Sequence, residues 1–298
     1  MYDNILVPTD GSDHAGRAAD HAATLARAFD AVVHLVSVVD LDEAAGPFSA
    51  GGLDEAYVDK LTESGRSTVE DDASRLDGVE TVQEVLTGRP ADSIIEYVSA
   101  SAIDLVVMGT HGRTGLSRYL TGSVAERVLR RAPAPVMTVR ATDAGEPTDG
   151  YDGILLPTDG SEPADFAVAH ALAIADRFDS RLHVASVVNV GDLATGTETG
   201  MPSGLLAELK SSAERAAQSV ADDAADAGID AVTSVTVGRP KGELLTYVED
   251  HDIDLVVMGT HGRTGLDRVL VGSTAEALVR QADVPVLTAS RRPDGDES

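Results

Sequence analysis

Gly109, Gly112, Gly122 and Ser123 stand at the spacing G-x2-G-x9-G-S, and the same spacing returns at Gly259, Gly262, Gly272 and Ser273. The nonapeptide MGTHGRTGL spans the start of both, at 108–116 and again at 258–266. Glycines let a backbone approach a phosphate closely and adopt positive φ, and free amides at a helix start favour an anion. In each copy the apolar run DLVVMG ends on the first glycine and a helical pattern opening SVAE or STAE follows the last. Strand, loop and helix in that order is the context that phosphate binding requires. A purely structural role is compatible with it: S-x-x-E is also the form of a capping box, which would put Ser123 or Ser273 at a helix N-cap with no ligand involved.

The other chemistry-bearing residues cluster around this loop. PTDGS follows the first apolar run of each copy, bringing Asp10 and Asp159 to its end. There a carboxylate could accept from ribose hydroxyls, or Asp10, Gly11 and Ser12 could form an Asx-type turn into the next helix. Arg113 and Arg263 would set a cation beside three anionic groups. His111 and His261 lie inside the loops, but a catalytic base needs an orienting partner and a nucleophile, and no spacing guarantees either. We read them as loop histidines packing near phosphates. No G-x4-G-K-[ST] occurs, and PTDGS is not G-x-G-x-x-G, so the chain matches neither a P-loop hydrolase nor a dinucleotide-binding dehydrogenase.

The elements that must position these residues come from a long internal repeat. YDNILVPTDGS at 2–12 pairs with YDGILLPTDGS at 151–161, TGRP with VGRP, and IDLVVMGTHGRTGL at 103 with its copy at 253. The near-constant offset means two colinear copies of one domain, which we place at 1–141 and 151–291. TDAGEPTDG at 142–150 is polar and turn-rich and reads as a linker, and 292–298 as a disordered tail. In the first copy, strands are predicted at 4–8, 32–39, 81–86, 104–109 and 135–139. Ala15, Ala18, Ala22, Leu25, Ala26 and Phe29 make one face of a helix ending near Phe29, and ADSIIEYVSAS makes another. Alternating strands and helices predict an α/β domain with an open parallel sheet covered on both faces, its crevice beyond the carboxyl ends of the strands.

Composition bounds the solvent and the partners. There are no cysteines, which excludes disulfides, thiolate zinc sites and a cysteine nucleophile. Asp and Glu number 50 against 23 Lys and Arg, a formal net charge of −27. Such a field repels nucleic acid and anionic lipid, so neither is expected as a partner. Lys60, Lys210 and Lys241 are the only lysines. An acidic, lysine-poor chain resembles proteins of extreme halophiles, where molar salt screens the self-repulsion; an ordinary acidic protein is the alternative. Carboxylate runs such as VEDDASRL read as solvated helix faces. No basic leader or membrane-length apolar stretch is present, and the chain reads as cytoplasmic.

PTDGS after the first strand, GRP after the third and G-x2-G-x9-G-S after the fourth resemble the universal stress protein family in its tandem-domain form, over essentially both halves. The resemblance implies two Rossmann-like domains, each a five-stranded parallel sheet of order 3-2-1-4-5, and the subgroup that binds ATP, with Mg2+. It implies that adenine and ribose lie along Pro8, Thr9, Asp10 and Val38, and phosphates along Gly109, Gly112, Arg113, Gly122, Ser123 and Val124. In the second copy the matching positions are Pro157, Thr158, Asp159 and Val187, then Gly259, Gly262, Arg263, Gly272, Ser273 and Thr274. Thr274 departs from Val124. The segments after the second strand of each copy, DLDEAAGPFSAGGLDEAYV and NVGDLATGTETGMPSGLLAEL, differ greatly, and are expected to form lids of unequal closure. The resemblance further implies a non-enzymatic regulatory protein of the stress response, with an internal pseudo-dimer of its two domains packed through the fifth strands, PVMTV and PVLTA. A further homodimer and an unidentified protein partner belong to the same expectation. The rival reading is a slow ATP hydrolase or phosphotransferase in the same crevice.

Overall fold

Apolar runs too short for helices, punctuated by Gly, Pro and Asp, become the strands of two α/β units, one within Met1–Gly150 and the other within Tyr151–Arg291. The computed structural model describes residues 1–41, 54–111, 122–140, 150–189, 204–260 and 272–290. In the first unit the order is β1 (Asn4–Pro8), α1 (Asp13–Phe29), β2 (Val32–Val39), α2 (Glu55–Ala73), β3 (Thr81–Thr87), α3 (Pro90–Ala100), β4 (Leu105–Gly109), α4 (Ser123–Arg131) and β5 (Val136–Val139). The second unit repeats it as β6 (Gly153–Pro157), α5 (Glu162–Phe178), β7 (Arg181–Val188), α6 (Leu205–Asp226), β8 (Ala231–Val237), α7 (Pro240–Asp250), β9 (Leu255–Gly259), α8 (Ser273–Gln281) and β10 (Val286–Ala289).

All pairings within a unit are parallel, in the order β3-β2-β1-β4-β5 and again β8-β7-β6-β9-β10. The predicted sheet order is therefore the observed one. Its direction reverses at β1, which pairs with β2 on one side and β4 on the other, and this is where an open sheet leaves a crevice beyond its strand ends.

Two predicted strands begin one residue late, for chemical reasons. Asp104 is not in β4 because its carboxylate accepts the Asp3 and Asn4 amides at 3.0 and 3.1 Å, bracketing the start of β1. Asp254 does the same for Asp152 and Gly153 at 2.8 and 3.0 Å. Pro135 has no N–H to give a ladder and contributes only its carbonyl, which accepts from Val106 at 2.9 Å.

The helix α1 starts at Ser12, whose Oγ accepts the Ala15 amide at 3.3 Å, and ends at Asp30 in the left-handed region, φ 57°. Its buried face carries Ala15, Ala18, Ala22, Leu25 and Ala26, and α5 repeats the stripe with Ala164, Ala167, Ala171, Ile174 and Ala175. Such small side chains let α1 lie close along β1 and β4. On the other face of the sheet, Leu6, Val36, Val106, Met108 and Val136 form one core with Ala91, Ile94 and Val98 of α3 and Ala125 and Val128 of α4. Among the described residues no helix is long and apolar enough to cross a membrane. The expected linker, tail and lids fall wholly or largely outside the described residues.

Candidate functional site

Where β1 ends, the chain turns tightly into α1. The Thr9 amide donates to the Val36 carbonyl at 2.8 Å, extending the pairing one step past the strand. Thr9 Oγ1 then accepts the Gly11 amide at 3.1 Å, Asp10 Oδ1 accepts the Ser12 amide at 3.0 Å, and Gly11 takes φ 72°. The second unit repeats the turn, with Gly160 to Thr158 at 3.1 Å, Ser161 to Asp159 at 3.0 Å and Gly160 at φ 69°. The Asx turn is thus real, and it leaves Asp10 on the wall of a cavity at the same time.

That cavity, about 680 Å³, opens at the carboxyl ends of β1, β2 and β4. Its size suits a nucleotide-sized ligand. Pro8, Thr9, Asp10, Val38, Gly109, Gly122, Ser123 and Val124 all line it. Gly112, Arg113, His261, Gly262 and Arg263 lie outside the described residues. In the second unit, Pro157 ends β6, Thr158 and Asp159 follow it, Val187 lies in β7, Gly259 ends β9, and Gly272 precedes Ser273 and Thr274 at the start of α8. The elements thus carry these residues to corresponding places. A wall that sequence reasoning missed comes from α2, which contributes Leu61, Ser64, Gly65 and Thr68. The available signal was small and hydroxylic residues recurring at helical spacing on an otherwise acidic helix.

At the start of α4 the capping-box expectation fails. Gly122 is the N-cap, with φ −59° and ψ 146°, and Ser123 is the first helical residue, with no side-chain cap bond at this terminus. Gly272 occupies the same place before α8, with φ −61° and ψ 148°. Glu126 does not reach back to the cap; it pairs with Arg130 at 2.7 Å. Intrahelical bonding begins when the Glu126 amide donates to the Gly122 carbonyl at 2.9 Å, so the amides of Ser123, Val124 and Ala125 stand before it at the cavity wall. A helix start built this way offers donors and the positive end of its dipole to an anion.

The two described glycines of the motif act differently. A Cβ on Gly122 would come within 3.1 Å of the Thr110 carbonyl oxygen, whose partner is the Gly122 amide itself at 2.6 Å. Its φ is ordinary, so close approach rather than backbone freedom selects glycine there. A Cβ on Gly109 would strike His14 Cβ at 2.7 Å and the His14 carbonyl carbon at 2.9 Å. Gly109 is therefore required by α1 packing against the strand end, whatever else lies in the cavity.

His111 also lines the cavity. Its Nδ1 lies 3.0 Å from Thr110 Oγ1, and its Nε2 is buried with no hydrogen-bond partner. The His14 and His111 rings sit 5.1 Å apart. Burial first, then His111 and Arg140, hold the His14 imidazole below its usual range, against Asp13 and Asp10. Among the described residues no group of three or more His, Asp or Glu could hold a metal ion.

Residues 1–140 and 150–290 each match the universal stress protein family. A universal stress protein of Methanocaldococcus jannaschii is 42% identical over 142 residues, 47% of this chain and 83% of that protein. A universal stress protein of Mycobacterium tuberculosis is 31% identical over 297 residues, covering 96% of each chain. The crystal structure of a universal stress protein from Archaeoglobus fulgidus superimposes with a TM-score of 0.71 over 98% of this chain and 97% of that one, at 21% identity, a likeness of fold. A two-fold motif repeat, the same sheet order in both halves and family matches across each half agree: this chain belongs to the universal stress protein family, as a tandem of two such domains.

Proposed function

We propose that each unit binds one adenine nucleotide, ATP with its magnesium, and that the chain is a regulatory protein of the stress response that acts through nucleotide-dependent interaction rather than catalysis. One observation carries this reading: a cavity of about 680 Å³ at the sheet's switch point is walled on one side by the uncapped start of α4 and on the other by the Thr9–Ser12 turn. The donor set fits a polyphosphate. Amides of Ser123, Val124 and Ala125 would meet phosphate oxygens, Gly122 lets the helix start close against the Thr110 carbonyl, and Arg113 adds a cation. Asp10 would accept from ribose hydroxyls, and Val38 would flank the base. Magnesium would arrive on the phosphates, which neutralise most of its charge and leave it its waters. The matching sequence around Gly272 supports a second site, and an internal pseudo-dimer is part of the same reading.

Isothermal titration of the purified chain in concentrated potassium chloride tests it. ATP should bind with a stoichiometry near two, Gly122→Val and Gly272→Val should each remove one site, and mass spectrometry of the denatured protein should find adenine nucleotide. A folded double variant with undiminished ATP affinity would refute the site. Slow hydrolysis is the second reading, favoured by the buried, unpartnered Nε2 of His111 on the cavity wall.

A further inference from the structure

The two units differ where α2 and α6 meet the end of the first strand. On α2 the buried stripe runs Gly65, Val69, Asp72 and on to Leu76; on α6 it runs Ala213, Ala217, Val220 and Ala224 at identical spacing. Flanking residues keep the register, Leu61 with Leu209 and Ser64 with Ser212. Asp72 therefore corresponds to Val220. Instead of standing on a solvated face as the adjacent acids Glu70 and Asp71 do, Asp72 is only 6% exposed. The helical stripe turns this one carboxylate of the run inward while Glu70 and Asp71 stay out.

Its partner is the cavity residue Thr9, whose Oγ1 donates to Asp72 Oδ2 at 2.5 Å, within the buried interior. The same oxygen accepts from Gly11 and so shapes the turn that carries Asp10. A hydroxyl free to rotate would serve the turn less well; donating to a fixed carboxylate, it is held with its lone pairs toward Gly11. Thr158 has the same Gly160 contact, but Val220 has no polar group to orient it. Other differences run the same way: Thr68, on the first cavity wall, corresponds to Ala216, and Gly65 to Ala213.

We infer that Asp72 is a positioning residue of the first nucleotide site, fixing Thr9 and through it the ribose-facing turn, and that the second site, with Val220 in its place, lacks this device and is the weaker of the two. The inference rests on the nucleotide-binding reading above. Around Asp72, burial favours the neutral acid, whereas the Thr9 hydroxyl and Arg75 favour the carboxylate and Asp20 and Asp71 oppose it. Arg75 is itself engaged with Asp20 at 3.0 Å.

The test uses the full chain in two backgrounds, Gly272→Val to leave the first site and Gly122→Val to leave the second. ATP titration of the first background should show Asp72→Val weakening binding about tenfold, with Asp72→Asn, which keeps an acceptor for Thr9, recovering most of it. The second background should be indifferent to both. A role confined to packing would give no rescue by asparagine, since valine is the better-packed residue. If Asp72→Val does not fold, Thr9→Val removes the same bond from its other end and should weaken the first site alike. Unchanged first-site affinity in folded Asp72→Val or Thr9→Val, or equal losses in both backgrounds, would overturn the positioning role. A parent chain that binds no adenine nucleotide would overturn this inference together with the function beneath it, whereas a parent that binds two with no effect of Asp72 would overturn this inference alone.

Discussion

Protonation of one buried histidine on α1 should contribute strongly to the loss of stability of the first unit in acid. His21 is 3% exposed, and burial first, then Arg17, lower its imidazole from 6.5 to about 4. The folded state therefore keeps His21 neutral, whereas the unfolded chain takes up a proton as soon as the pH falls below 6.5. The stabilisation is fully present above that value and is lost as the pH falls toward about 4. Each pH unit of displacement is worth about 1.4 kcal/mol, so the whole interval amounts to about 3 kcal/mol, a large share of the margin of a domain this size. Replacing His21 with leucine removes the titration and leaves an apolar side chain of similar volume. Urea unfolding in concentrated potassium chloride, followed by circular dichroism from about pH 7.5 to about pH 4, measures the difference between parent and His21→Leu. His14, His34 and His183 are also held below their usual range by burial, and their contributions are common to both proteins. The gap should widen in favour of the variant across that interval. Parallel loss of stability in the two proteins would show that His21 accepts its proton in the folded state and that the burial argument is wrong.

Gly109→Ala should destabilise the first unit by about 1–3 kcal/mol, because the new methyl has backbone of α1 on its far side; thermal melts of the variant measure it. Melting temperature should climb steeply from dilute to molar potassium chloride as the net charge of −27 is screened, and a flat response would remove the halophilic interpretation. Phosphate release from ATP under multiple-turnover conditions should be slower than about one per minute, since the sequence has no P-loop lysine. Faster release, lost on His111→Ala, would make His111 Nε2 a participant and the chain an enzyme.

Sheet order and the placing of the site were legible because both follow from repeating patterns. NILVP, DLVVMG and their copies are apolar on both faces, which only a covered parallel strand tolerates, and G-x2-G-x9-G-S fixes which strand end faces the crevice. What escaped was decided by single side chains in three dimensions. S-x-x-E satisfies the letter of a capping box, yet the helix starts one residue earlier, because Gly122 already takes the extended cap geometry and Glu126 is claimed by Arg130. Gly109 reads as a phosphate glycine from spacing alone; its contact with His14 joins residues 95 apart in sequence and has no local signature. Asp72 was hidden in a run of acids, where only the register of Gly65, Val69 and Leu76 shows which of them turns inward.

The alanine stripe of α1 has a counterpart that can be read against it inside the same molecule. At its four alanine positions, Ala15, Ala18, Ala22 and Ala26, the second copy again has alanine, at 164, 167, 171 and 175. At the four positions of the α2 stripe every residue differs: Gly65 corresponds to Ala213, Val69 to Ala217, Asp72 to Val220 and Leu76 to Ala224. The α1 stripe keeps alanine at its four positions, whereas the buried Ala19 and Ala23 beside it correspond to Val168 and Leu172. The differences between the halves thereby reach a helix that borders the cavity, so two units of one architecture can hold two different pockets.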